Sequence, residues 1–340
     1  MIEVDFIPVG DKKDTGDAIL SRFTEPVSGT ERVMLIDGGF TDTADDVVAH
    51  VQEYYGTSRI DLMVCTHPDD DHINGLFGVL EQLEVTTLLI HRPADYGHTS
   101  DDVKAGKVDD LIRLAQSQGT AVVTNAFAGT TFFSGAIMIA GPSQEFYSGL
   151  LAEDNSSRSF SASVGAILRA SAQAVKNALM PRGTDPGEGE LDDHGGVTAR
   201  NNTSIILDVQ VEGARALFTG DAGAPALVRA ADHLDNSGRS AVGYPDFFDV
   251  PHHGSRHNLT TEVMNRLAGP IVGATETRTA FVSVGKEADD FPRPEVANAF
   301  TRRGYEVCAT RGQRILWHRG SVPRPGWVQI TPLPWLQPDA

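Results

Sequence analysis

Short apolar runs broken by Gly, Pro, Asp and Asn fill the first third of the chain, a pattern that reads as strands. Ile2 to Val9, Asp17 to Phe23 and Arg32 to Ile36 are three such runs, the last stopped by Asp37-Gly38-Gly39. Thr43 to Tyr55 reads as a helix, because Val47, Val48, Val51 and the Tyr54-Tyr55 pair recur at three-to-four spacing. Ile60 to Cys65 is a strand of the buried type, and a helix restarts over Asn74 to Leu83 after a polar loop. Thr86 to Ile90 reads as a strand, Asp101 to Gln118 as a helix, and Ala121 to Thr124 and Ala136 to Ala140 as strands.

This rhythm breaks between residues 142 and 200. Ser159 to Met180 is an Ala-rich helical pattern with few large apolar residues, and Gly183 to Gly196 reads as an exposed Gly-, Asp- and Glu-rich loop. The stretch is therefore read as an insertion, either a cover over the site or a surface for a protein partner. The rhythm then resumes. Strands are predicted over Thr203 to Val211, Ala214 to Thr219, Phe248 to Val250, Thr279 to Val284, Tyr305 to Thr310 and Arg314 to His318. Helices are predicted over Ala224 to Leu234, Thr261 to Leu267 and Arg293 to Arg303. No short-period repeat is visible. The pattern suggests two β-α halves in one domain over residues 1–340, with an irregular Pro-rich tail at 323–340.

Composition narrows the function classes. The 340 residues allow roughly two domains or one large α/β domain. Forty per cent hydrophobic content provides for a sizeable core. A net charge of −18 argues against a broad basic face for duplex DNA, although a bound dication would offset it locally. Two cysteines, Cys65 and Cys308, cannot form a disulfide framework. The first residues show no basic segment followed by an apolar one, and no window approaches roughly 18 continuous apolar residues. The expectation is a soluble, cytoplasmic protein without membrane attachment.

The strongest chemical signal is Thr66-His67-Pro68-Asp69-Asp70-Asp71-His72, directly after an apolar strand. Imidazole and carboxylate are the ligands of Zn²⁺ and also suit Mn²⁺ or Fe²⁺. On a loop leaving a strand, the alternate residues His67, Asp69 and Asp71 can point into one pocket, with His72 adding a further donor. Phe218-Thr219-Gly220-Asp221 ends another apolar run in a carboxylate, and Val250-Pro251-His252-His253-Gly254-Ser255 places a His pair before a glycine. Together these segments supply His67, Asp69, Asp71, His72, Asp221 and His252 or His253, enough for two metals with one bridging carboxylate.

With these residues the chain resembles the metallo-β-lactamase fold superfamily, and in particular the hydrolase domain of competence-type DNA-uptake proteins and their free-standing relatives. The superfamily signature is His-x-His-x-Asp-His. The competence-type branch carries Asp at its second position, as His67-x-Asp69-x-Asp71-His72 does. Further marks are Ile7-Pro8-Val9-Gly10, Gly16-Asp17-Ala18-Ile19, Leu35-Ile36-Asp37-Gly38-Gly39, Asn201-Asn202-Thr203-Ser204 and Ser283-Val284-Gly285-Lys286. The resemblance implies an α/β protein with a four-layer αββα sandwich and the metals at one edge between two sheets. It implies His67 and Asp69 on the first metal, Asp71, His72 and His253 on the second, and Asp221 bridging. His252 would face substrate or support a ligand, Asp37 would support the site by hydrogen bonding a ligand, and Ser255 would contact a phosphate oxygen.

Two positions depart from the common pattern. Many members have a third histidine for the first metal where this chain has Arg200-Asn201-Asn202; the competence-type branch also has Asn there. Phe291-Pro292-Arg293-Pro294 puts Arg293 where that branch has histidine. Arg cannot ligate a metal but can bind phosphate bidentately. The expected function is thus a hydrolase with two divalent ions, Zn²⁺ or else Mn²⁺, acting on a small phosphodiester or short nucleic acid. Asp71 and Asp221 are the catalytic carboxylates, and His252, Asn202, Ser255, Lys286 and Arg293 the substrate-facing candidates. The alternatives are an esterase or lactonase, and a metal-stabilised pseudo-enzyme that serves as a binding module. His91, His98 and His194 are weighed as substrate-facing or lid residues and set aside in favour of exposed loops.

Overall fold

The computed structural model describes residues 1–97, 103–159, 191, 197–272, 278–322, 324, 325, 327 and 330–337. Two seven-stranded sheets form its centre. The first sheet contains β1 (Ile2–Phe6), β2 (Ile19–Thr24), β3 (Glu31–Ile36), β4 (Arg59–Cys65), β5 (Glu84–Ile90) and β6 (Ala121–Val123). The second contains β7 (Thr131–Phe132), β8 (Ile137–Gly141), β9 (Ile206–Val211), β10 (Ala214–Phe218), β11 (Phe247–Asp249), β12 (Arg278–Val282) and β13 (Tyr305–Ala309). The last strand, β14 (Ile315–Arg319), returns to the first sheet, so the orders are β14-β1-β2-β3-β4-β5-β6 and β13-β12-β11-β10-β9-β8-β7.

β-α segments lie on both sides of residues 142–200, and neither sheet is built from one side alone. β7 and β8 precede that stretch yet join the second sheet, and β14 pairs with β1. Each sheet takes up strands from both sides, which ties the two halves together.

The unbroken apolar runs follow from the layering. In β3, Val33 and Leu35 pack in one cluster while Met34 and Ile36 pack in another. In β4, Met63 and Cys65 oppose Leu62 and Val64 in the same way. A strand covered on both faces needs apolar residues at every position, because alternate side chains enter different layers. The inter-sheet layer joins Phe6, Met34 and Leu62 to Leu207, Phe218, Phe247 and Phe281. The outer face of the first sheet is covered by α1 (Thr43–Tyr54), α2 (Asp70–Gln82) and α3 (Val103–Ser117), through residues such as Val47, Leu76 and Leu111. Helix α4 (Gln144–Ser159) follows β8. The outer face of the second sheet is covered by α5 (Ala224–Asn236), α6 (Thr261–Leu267) and α7 (Pro294–Arg302), through Leu227, Met264 and Phe300. Three apolar layers separate four structural ones, the αββα sandwich.

Helix α4 lies where no element was predicted, and β7 was also missed. Most of the helix expected over Ser159 to Met180 and nearly all of the Gly183 to Gly196 loop lie outside the described residues. The described part of the tail contains no helix or strand, but Leu336 exchanges hydrogen bonds with Asn298 over 2.8 and 3.0 Å. No helix of the described residues is long and apolar enough to cross a membrane.

Candidate metal centre

Strand ends bring the site together. Asp37 directly follows β3, His67 follows β4, Asp221 follows β10 and His252 follows β11. Pairing is parallel between β3 and β4 and between β10 and β11, so the carboxyl ends within each pair lie side by side. Helix α2 begins at Asp70 rather than at Asn74. Asp71 and His72 therefore sit on its first turn and do not continue a strand-like alternation with His67 and Asp69. Asp70 and Asp71 suit that turn because carboxylates are favourable beside the positive end of a helix. Gly75 lets the helix come close: a Cβ there would lie 1.9 Å from the Gly38 carbonyl oxygen.

Asp221 stands at the centre. Its Oδ2 is 3.6 Å from His67 Nε2 and 3.6 Å from His252 Nε2, while its Oδ1 is 3.5 Å from His72 Nε2. Asp69 Oδ2 lies 3.7 Å from His67 Nε2. Asp71 Oδ2 lies 3.7 Å from both His72 Nε2 and His253 Nε2. These separations are too long for hydrogen bonds. They are close to the spacing of neighbouring ligands on a cation, since bonds of about 2.0–2.1 Å in a tetrahedron put ligands about 3.4 Å apart. His67 Nε2, His72 Nε2, His253 Nε2 and Asp221 Oδ1 are all buried without a hydrogen-bond partner. Buried polar atoms left unpaired are costly, and divalent cations would satisfy these together. The residues fit two such ions: His67, Asp69 and His252 on one side of Asp221, and Asp71, His72 and His253 on the other.

The far sides of these groups are held by other polar atoms. His72 Nδ1 meets Asp37 Oδ2 at 2.8 Å, and the Thr66 amide and hydroxyl donate to the same Asp37 carboxylate over 2.7 and 2.6 Å. His67 Nδ1 is 3.0 Å from Thr66 Oγ1 and 3.4 Å from Ser204 Oγ. Asn201 donates to Asp221 Oδ2 over 3.2 Å. Asn258 donates to the Asp221 and Ala222 carbonyls, and its Oδ1 is 3.0 Å from His252 Nδ1. That contact turns His252 Nε2 onto Asp221, which places His252 on the His67 side. Asp37, His252 and His253 all have positive φ, at 56°, 49° and 56°. Side-chain-bearing residues adopt this region at a cost of about 1–3 kcal/mol each, and surrounding contacts must hold them there.

Charge follows the same layout. Burial disfavours the imidazolium of His72, but the carboxylates of Asp221, Asp37 and Asp71 outweigh it and hold its proton affinity well above that of a free histidine. His253 is buried too, yet Asp71, Asp17 and Asp221 raise it to about 9. Burial, with the charge of His72, pushes His67 well below the ordinary value. Burial would raise Asp71, but His253, His72 and His67 hold it below the usual carboxylate range. The surrounding carboxylates thus favour protons on His72 and His253, and a cation binding there would compete with them.

The remaining candidates are placed differently. The Asn202 side chain is used by the Thr198 carbonyl and the Gly223 amide, each at 3.2 Å, and Asn201 is the residue that reaches Asp221. Ser255 is half-buried, and its amide donates to the His252 carbonyl over 3.0 Å. Lys286 is exposed, lining a surface hollow with Asp42, Asp46, Gly312 and Arg314. The Arg293 amide donates to the Gly254 carbonyl over 3.0 Å, and its guanidinium lies 5.4 Å from the centre of the Phe291 ring. His91 is buried against Phe127, not on an exposed loop. His98 and His194 lie outside the described residues.

Sequence reasoning missed Asp17, Asn201, Asn258, Lys104 and Arg200 as site residues. Asp17 lies 3.9 Å from His72 Nδ1 and 3.8 Å from His253 Nδ1. Lys104 Nζ and an Arg200 guanidinium nitrogen lie 2.6 and 3.3 Å from Asp69 Oδ1. Asn201 sits beside a residue that was singled out, but nothing in the pattern marks Lys104 or Asn258.

Comparison with known proteins gives distant structural neighbours. The structure of a diphosphatase of the PhnP family is 11% identical, with 93% of this chain and 98% of that one covered and a TM-score of 0.42. Igni18, a metallo hydrolase from Ignicoccus hospitalis, is 11% identical over 93% and 99%, with a TM-score of 0.40. A CmlA beta-hydroxylase variant is 12% identical over 94% of this chain and 54% of that one, with a TM-score of 0.47. No curated protein sequence matches. The family model of the metallo-beta-lactamase superfamily matches residues 25–268, which contain every candidate metal-binding residue described above. The chain belongs to the metallo-beta-lactamase superfamily.

Proposed function

We propose that this chain is a phosphodiesterase that works with two divalent metal ions, Zn²⁺ or Mn²⁺. The observation that carries the reading is the Asp221 carboxylate, which turns Oδ2 to His67 and His252 and Oδ1 to His72. One carboxylate shared between two donor sets suits a pair of ions a few ångströms apart. What such a pair supplies when bound is Lewis acidity toward water and toward a phosphoryl oxygen. The mixed imidazole and carboxylate donors suit Zn²⁺ and Mn²⁺ alike.

The residues of the chain do the rest. Asp37, Thr66, Ser204 and Asn258 fix the imidazoles of His72, His67 and His252 before substrate arrives, so little reorganisation accompanies the reaction. Asp71 and Asp221 are the carboxylates that take a hydrogen bond from the attacking water. A phosphodiester is favoured by the competence-type pattern His67-x-Asp69-x-Asp71-His72 and by the cations Lys104 and Arg200 beside Asp69. With a net charge of −18, a small diester or short single strand is a better substrate than long duplex DNA.

The test is metal content together with hydrolysis of bis-p-nitrophenyl phosphate, for wild type and Asp71→Ala. Two ions per chain and turnover lost in the variant support the reading. Two ions without turnover of this diester, but with turnover of p-nitrophenyl acetate or a lactone, would replace it with an esterase. No bound metal and no activity after reconstitution would leave a binding module.

A further inference from the structure

A cleft opens beside the His67 side of the site. Pro68, the residue after His67, lines it, and Tyr147, Leu150 and Leu151 of α4 form an apolar wall. The wall is buttressed from behind: the Tyr147 ring packs on His91, Tyr96 and Phe127 at centroid distances of 4.8, 5.5 and 5.7 Å. Lys104 and Arg200 also line the cleft, and they are the two cations that meet Asp69 Oδ1. The cleft measures about 420 Å³ out to open solvent.

We propose that this cleft binds an apolar substituent of an anionic substrate, with Lys104 and Arg200 holding the anionic group beside Asp69 and Pro68, Tyr147 and Leu151 holding the substituent. The inference rests on the hydrolase reading of the metal site and narrows its substrates to esters that carry an apolar group next to the anionic one. Positive charge on one edge and apolar surface on the other match such a molecule and match neither half of it alone. Ligand sites commonly join an apolar lining to a few placed polar groups. The side chains of Lys104 and Arg200 are both 27% exposed, which leaves them partly screened from water and open to an anion.

Binding of phenylphosphonate and methylphosphonate to the full-length, metal-loaded chain, measured by titration calorimetry, tests this. Neither compound has a hydrolysable ester, so the readout does not depend on turnover. Phenylphosphonate is expected to bind at least tenfold more tightly than methylphosphonate. Leu151→Ala should remove most of that advantage, whereas Lys104→Ala and Arg200→Ala should weaken both. Equal wild-type affinities, no binding of either, or an advantage that survives undiminished in a folded Leu151→Ala would overturn the proposal. The wild-type ratio stands as a test even if the variant does not fold. A phenyl preference without turnover of any phosphodiester, carboxylic ester or lactone would sink the hydrolase reading and leave the cleft assigned. Turnover without the preference would do the reverse.

Discussion

The Asp37 carboxylate stands 2.8 Å from Nδ1 of His72, and the opposite nitrogen of that ring, Nε2, faces Asp221 and Asp71 at 3.5 and 3.7 Å. The carboxylate thereby sets both the orientation and the tautomer of the imidazole. It is itself fixed by the Thr66 amide and hydroxyl.

Asp37→Asn should therefore act on the metal site through His72. The amide keeps the shape but loses the charge, and one of its ends meets a donor where an acceptor is needed. The expected result is a loss of about 10–100-fold in affinity for the ion on the His72 side. Competition with a chromophoric chelator measures it, the other ion serving as internal control. Wild-type affinity at both positions would show that Asp37 does not orient His72.

Asp221 and Asp71 should differ in kind. Asp221 faces both donor sets, so Asp221→Asn should weaken both ions and lower turnover roughly a hundredfold or more. Among the described residues Asp71 Oδ2 faces His72 and His253, both on one side of Asp221, so Asp71→Ala should leave one ion bound. Metal analysis of the two variants side by side is decisive. Equal stoichiometry in both would contradict a bridging role for Asp221.

His91 predicts a pH dependence that is independent of metal. Burial pushes its pKa from 6.5 down to about 4, opposed by its hydrogen bond to the Ala126 carbonyl. Between these values the unfolded chain binds a proton that the folded chain does not, so stability rises with pH across the window and falls as pH drops. The destabilisation reaches roughly 3 kcal/mol at pH 4, below which the folded state also takes up the proton. His91→Gln keeps a donor for Ala126 and cannot titrate. Its Tm profile between pH 4 and pH 6.5 should be flatter than that of wild type, and parallel profiles would contradict the assignment.

The layers and the ligand-bearing loops were legible because each leaves a local trace. β4 is apolar at almost every position since both its faces are covered, and the His67 to His72 segment concentrates metal donors that no core needs. What the sequence hid is long-range. The start of α2 at Asp70 depends on the helix packing against Gly38, and no local pattern reports that contact. The pairing of β14 with β1 joins the two ends of the chain. Lys104 and Arg200 meet at Asp69 from distant segments, and each alone resembles any surface cation. His252 and His253 could not be told apart from neighbouring positions alone, since their directions are set by Asn258 and by positive φ.

Asn258 is the residue on which that last arrangement depends. It is fully buried, donates to the Asp221 and Ala222 carbonyls, and meets His252 Nδ1 through its own carbonyl. Asn258→Ala would leave these groups buried and unpaired, at a cost of about 1–3 kcal/mol, and would release the contact that opposes the strain at His252. The expected outcome has two parts: a lower Tm for the metal-free protein, and weaker binding of the ion on the His67 side with the His72 side little changed. Thermal unfolding in chelator reads the first part and metal titration the second. A lower Tm with both affinities unchanged would make Asn258 a clamp on the backbone alone. Selective loss of one ion is expected because only His252 among the candidate ligand side chains is held by the Asn258 side chain, whereas His253 faces Asp71 and Asp17.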